Sequence, residues 1–171
     1  MHNSIKAVCF ESTFLKMPGP ITEKIIQHAQ AVADTLSETF RKKGPGQGNK
    51  FTNQFMTLLN ERVRKEFGQA FIEQRISGLT KQSVDFYVRP ERTVIEVELS
   101  LYNVHTNMDR DIFKVLLARD SGENISTLLL LGKEPAVERH TQPASQALLE
   151  WVRKHHALEV LIRDIKKPRR K

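Results

Sequence analysis

The chain has 171 residues, 39% apolar and 27% charged, which fits one globular domain with its own core and excludes a mostly disordered chain, a collagen-like chain or a disulfide-stapled miniprotein. Its single cysteine, Cys9, excludes an internal disulfide and a thiolate zinc cluster. Lysine and arginine number 27 against 20 acids, giving a net charge of +7 and a pI near 9.7, a balance that favours polyanionic partners. Five of those seven net charges fall within 150–171, where Arg153, Lys154, Arg163, Lys166, Lys167, Arg169, Arg170 and Lys171 outnumber Glu150, Glu159 and Asp164. Such a run reads either as a solubilising tail or as a polyanion contact. No stretch approaches the ~18 apolar residues of a bilayer span. Met1–Phe10 lacks a secretory apolar region, so the cytoplasm is the expected location.

In chain order, Ile5–Phe10 reads as a short strand or ordered arm. Pro18-Gly19-Pro20 breaks the chain, and Pro20 suits the opening of a helix. Ile21, Ile25, Ile26, Ala29, Val32, Ala33, Leu36 and Phe40 then recur at helical spacing, predicting an amphipathic helix over 21–43. Gly44 to Lys50 is glycine-rich but lacks the Gly-Lys-Ser/Thr ending of a P-loop, so its composition favours a connection over a phosphate cradle. Thr52 is placed to cap a second helix with a stripe of Phe55, Met56, Leu59, Val63 and Phe67, and Gly68 to stop it. Residues 71–82 are ambiguous, with room for a short strand.

From Ser83 the period becomes two. Val84, Phe86 and Val88 alternate with Asp85 and Tyr87. After the turn Arg89–Arg92, Thr93–Leu99 alternates again, which makes an antiparallel hairpin. A loop over 100–106 leads to a helix over 108–119, and Ile125–Leu131 is an apolar run expected of a strand covered on both faces. A helix over 143–156, with Ala147, Leu148, Trp151 and Val152 inward, precedes a last strand over 158–165. The order implies an α/β fold, a mixed β-sheet flanked by helices, in one domain.

Residues two apart on a strand share a face, so Glu96 and Glu98 point the same way, and Asp85 on the neighbouring strand lies near Glu96 if the register allows. Three carboxylates so close repel one another and raise each other's pKa. A divalent cation such as Mg²⁺ relieves that cost, using a few carboxylates with waters and phosphate oxygens. The same acid–apolar–acid pattern also describes any half-exposed strand, so spacing alone leaves both readings open. The histidines His105, His140, His155 and His156 show no metal-ligand spacing, and no serine or cysteine has a histidine partner in a nucleophile motif. His155 and His156 suit a helix C-terminus, Asp111 a helix N-terminus, and Arg110 an acid partner.

Val84-Asp85-Phe86, Val94-Ile95-Glu96-Val97-Glu98 and Asp109-Arg110-Asp111-Ile112-Phe113, preceded by Gly48-Asn49-Lys50 and Leu58-Leu59-Asn60, resemble in order and spacing the BglII/BamHI-type restriction endonucleases of the PD-(D/E)XK nuclease superfamily. The resemblance covers roughly 40–132. It implies a restriction-endonuclease-like core over 44–165, after an N-terminal arm and helix (1–43) and before a basic tail (166–171). It implies a metal-dependent DNA endonuclease using Mg²⁺, with Mn²⁺ as a substitute. Asp85 and Glu96 would ligate the metal with the Val97 carbonyl. Glu98, where most of the superfamily has lysine, would orient or deprotonate the attacking water, and Glu66 would be an accessory acid. Lys50, Arg110, Lys166, Lys167, Arg169 and Arg170 would hold double-stranded DNA, and a homodimer would bring two sites to a duplex. The loop after the acid pair, Ser100–Thr106, has no lysine, which leaves His105 or Lys114 to supply that function. The alternative is a catalytically inactive nuclease-like DNA-binding or assembly module.

Overall fold

The computed structural model describes residues 17–37, 48–75, 83–99 and 104–168. The expected arm at Ile5–Phe10, most of the glycine-rich loop and Arg169–Lys171 lie outside the described residues. Helix α1 (Pro20–Thr35) and helix α2 (Gly48–Phe67) lead through a 3₁₀ turn into strands β1 (Ile72–Arg75), β2 (Ser83–Val88) and β3 (Thr93–Glu98). Helix α3 (Val104–Asp120), strand β4 (Thr127–Lys133), a short helix α4 (Ala136–His140), helix α5 (Pro143–His156) and strand β5 (Glu159–Ile165) follow.

The five strands form one mixed sheet in sequence order. β1–β2 and β2–β3 are antiparallel, with Phe86 opposite Ile95 and Val88 opposite Thr93. β3–β4 and β4–β5 are parallel, with Glu98 beside Gly132 and Gly132 beside Asp164. The parallel half needs helical crossovers, which α3 and the α4–α5 pair provide.

Strand alternation sends two apolar sets to opposite faces. Phe86, Val88, Ile95, Leu129, Leu131 and Leu161 pack against Ile25, Ala29 and Val32 of α1 and Phe55, Leu59 and Val63 of α2. Tyr87, Val94, Leu128 and Leu130 pack against Met108, Ile112 and Val115 of α3 and Val152 of α5. β4 is sealed on both sides, as its unbroken apolar run requires. The architecture is α/β, a mixed sheet between two helical layers. Among the described residues no helix is long and apolar enough to cross a membrane.

Several boundaries differ from the sequence expectation. Regular α1 ends at Thr35, where Leu36 takes the cap position, and the last part of the expected helix, 38–43, lies outside the described residues. α2 starts at Gly48, so Thr52 lies within the helix and not at its cap. Gly68 does end α2, with φ +83°, donating its N–H to Arg64. Trp151 is not a core residue. It is 48% exposed and rests on the rings of His155 and His156, while Val152 alone of that group is buried. The sheet covers a narrower face of α5 than the apolar spacing implied.

α1 is tied to the hairpin at its first turn. The Glu91 carboxylate, in the β2–β3 turn, accepts from Ile21 N (2.6 Å) and Thr22 N (2.9 Å). These are two of the N–H groups that every helix start leaves without a helical partner. Gly19 permits the approach, because a Cβ there would sit 2.2 Å from Glu91 Cδ.

Candidate active site

The β2–β3 hairpin aims Asp85 and Glu96 at the α3 side of the sheet. The register that sets Phe86 against Ile95 sets Asp85 against Glu96 when continued one step. There the backbone ladder gives way to a side chain: Val97 N donates to Asp85 Oδ2 at 2.8 Å. A strand residue's N–H and C=O leave on the same edge, so the Val97 carbonyl also faces β2.

α3 supplies the opposing charge. Lys114 Nζ donates to Glu96 Oε1 (2.5 Å), lies 3.1 Å from Asp111 Oδ1, and reaches the Ser83 carbonyl (3.3 Å). Asp111 and Lys114 are three apart on the helix and so share a face. Arg110 Nε donates to the same oxygen, 3.2 Å from Asp111 Oδ1, with its side chain 61% exposed. Asp111 does not open the helix, as its sequence position had implied. It lies in the second turn of α3, 1% exposed, and acts as a buried partner of Lys114.

Three acids thus converge on one buried ammonium. Burial, then the Asp85 and Asp111 charges, push the Glu96 carboxyl up to about 8 despite Lys114. Burial also raises Asp85, against the Val97 N–H and Lys114. Burial opposes the Lys114 charge, but Glu96 and Asp111 outweigh it and the Lys114 pKa rises. A close Lys114–Glu96 pair calls for a carboxylate at Glu96, whereas a value near 8 calls for a proton there. Burial and the mutual repulsion of Asp85 and Glu96 favour protonation of the pair, and Lys114 opposes it.

Glu98 lies on the same face as Glu96 but binds elsewhere. Its Oε2 is 3.1 Å from His140 Nε2, at the end of α4, with His140 wholly buried and the Glu98 side chain 8% exposed. Among the described residues no group hydrogen-bonds Glu98 Oε1 or His140 Nδ1.

The remaining sequence candidates stand apart. Glu66 engages His28 at 2.5 Å, joining α2 to α1 in the opposite helical layer. Lys50 is exposed in the first turn of α2, in that same layer. Lys166 and Lys167 are exposed just beyond β5. The Lys166 backbone is bracketed by Gln30, and Lys167 N donates to Glu134.

Among the described residues no three histidine, cysteine or acidic side chains converge as a metal cage. The donors that do meet are two carboxylates, Asp85 and Glu96, beside the Val97 carbonyl edge. That set fits Mg²⁺, which commonly takes one or two carboxylates and fills the rest with water and phosphate oxygens. A cation between Asp85 and Glu96 would relieve their mutual repulsion.

Sequence reasoning missed Asp111 as a buried partner and left Lys114 unplaced. Its one signal was an acid and a lysine three apart among Ile112, Val115 and Leu116. It set His140 aside with the other histidines and gave it no partner, since a five-residue helix shows no period. Compared with known proteins, the chain matches no protein-family model, no curated protein and no solved structure.

Proposed function

We propose that the chain is a metal-dependent endodeoxyribonuclease with a restriction-endonuclease-like core of the PD-(D/E)XK type. The observation that carries this reading is the meeting of Asp85 and Glu96 across the β2–β3 hairpin with Lys114 Nζ on Glu96. Two facing acids held near one another are costly unless they have a use for cations. Lys114 arrives from α3 and brings a cation to a motif whose following loop contains none.

Asp85 and Glu96, with the Val97 carbonyl, would hold Mg²⁺ or Mn²⁺. When bound, such an ion polarises the scissile phosphate and lowers the pKa of an attacking water. The chain's own residues do the rest. Lys114 holds Glu96 in place and offsets the charge of the acids. Glu98 Oε1 accepts a proton from the water as its oxygen bonds to phosphorus and the bond to the leaving oxygen breaks. Arg110, largely exposed beside the cluster, contacts the backbone phosphates, as do the basic residues beyond β5. Double-stranded DNA is the substrate and a homodimer the working form in this reading.

The test is cleavage of supercoiled plasmid with Mg²⁺, with Mn²⁺ and with EDTA, alongside Glu96→Gln. Metal-dependent nicking that the variant loses supports the reading, and nicking that survives in the folded variant removes the site. A second reading is a DNA-binding module that does not cleave, favoured by the absence of lysine from the sequence Ser100–Thr106 after the acid pair. Salt-sensitive DNA binding without metal dependence or cleavage would favour it.

A further inference from the structure

We propose that His140 is a positioning residue, whose Nε2–H holds one oxygen of Glu98 and so fixes where the other, Oε1, is presented. Its consequence for catalysis rests on the nuclease reading; the hydrogen bond itself does not.

The backbone brings the two residues together by a specific route. Glu98 ends β3, on the face that α3 covers, and its ladder neighbour on β4 is Gly132. Gly132 has no side chain to fill the space above it. A Cβ there would lie 2.3 Å from the Ala136 Cβ. α4 therefore rests directly on the strand end. The Val137 N–H donates to Asp164 on β5 at 3.0 Å, and Glu134 N donates to the Ile165 carbonyl. The short helix is anchored at its start, and its last residue, His140, is carried over Glu98.

The chemistry then selects a tautomer. With the proton on Nε2, the ring donates to the carboxylate and Nδ1 keeps only a lone pair. With the proton on Nδ1, a buried donor would lack an acceptor and a lone pair would face Glu98 Oε2. The hydrogen-bond network thus assigns the proton to Nε2. A carboxylate fixed at one oxygen has a fixed plane, so Oε1 becomes a directed acceptor, two residues along the strand from Glu96.

Stability alone does not account for the pair. Two buried polar side chains of this kind are seldom better for folding than apolar residues of the same volume. Their use lies in holding an acid in one orientation, as ligand-orienting partners do around reactive groups.

The experiment uses the full chain with ¹⁵N-labelled histidine. In the wild type, ring ¹⁵N shifts should show His140 protonated at Nε2, and Glu98→Gln should move them. A ring protonated at Nδ1, or one indifferent to Glu98→Gln, overturns the proposal. In parallel, Mg²⁺-dependent plasmid cleavage is compared for His140→Leu and His140→Gln. His140→Leu should lower kcat by about tenfold or more with KM within about twofold, and the amide N–H of His140→Gln should restore most of it. Equal loss in both folded variants, or a loss confined to KM, overturns the positioning role. If the wild type cleaves nothing, the nuclease reading fails, and the ring tautomer alone decides between support and rejection.

Discussion

Lys114 Nζ meets Glu96 Oε1 with both side chains about nine-tenths buried, and no other ammonium enters the acid cluster among the described residues. Removing it leaves Asp85 and Glu96 facing one another with no ammonium, and leaves Asp111 with only the largely exposed Arg110. Lys114→Met should therefore destabilise the fold by about 3–5 kcal/mol above pH 8, the cost of an orphaned buried charge. The loss should shrink near pH 5, where the acids hold protons. Urea unfolding at the two pH values checks both parts.

The pH dependence of the wild type has a defined sign. Between the ordinary glutamate value of 4.5 and about 8, the folded chain holds a proton at Glu96 that the unfolded chain has released. Stability therefore falls as pH rises through that window, by an amount on the order of a few kcal/mol. Glu96→Gln should flatten the decline. Mg²⁺ should flatten it too, with proton release on binding, and calorimetry in buffers of different ionisation enthalpy measures that release directly.

Glu91→Ala removes the acceptor for Ile21 N and Thr22 N and should cost about 1–2 kcal/mol, in the range of a lost helix cap. Glu123→Ala offers the contrast. Its partner Arg89 is 54% exposed, so the loss of that pair should stay below about 1 kcal/mol. Thermal or urea midpoints of the two variants separate a capping carboxylate from a surface ion pair.

DNA affinity should fall linearly with the logarithm of salt concentration. Replacing Lys166, Lys167, Arg169 and Arg170 by glutamine should reduce that slope by about one per cation that contacts phosphate. Substitution is a cleaner probe than truncation, because the Lys166 backbone is hydrogen-bonded to Gln30. An unchanged slope would reduce the tail to a solubility device.

The hairpin was legible because period-two alternation flanks a short turn, and the register that sets Asp85 by Glu96 follows from the turn's length. β4 was legible because an unbroken apolar run admits few other roles. Lys114 was not, since helical spacing says which residues share a face but not how far along the sheet that face reaches. Trp151 was misplaced because an apolar stripe marks what can be buried, while the width of the covering sheet decides what is. The role of His140 was not legible: Gly132 makes room for its helix, and an isolated glycine in a strand says only that something approaches closely.

The Glu91 contact also imposes an order on the chain's assembly. α1 precedes its own acceptor by about 70 residues. A helix in a protein draws most of its stability from tertiary packing of its apolar face. Until the β2–β3 turn exists, α1 lacks both the acceptor for its first N–H groups and the sheet face for Ile25, Ala29 and Val32. Its apolar stripe is therefore a debt carried through synthesis, settled only when the hairpin closes. A nascent chain stalled before Glu91 would leave that stripe without its sheet face.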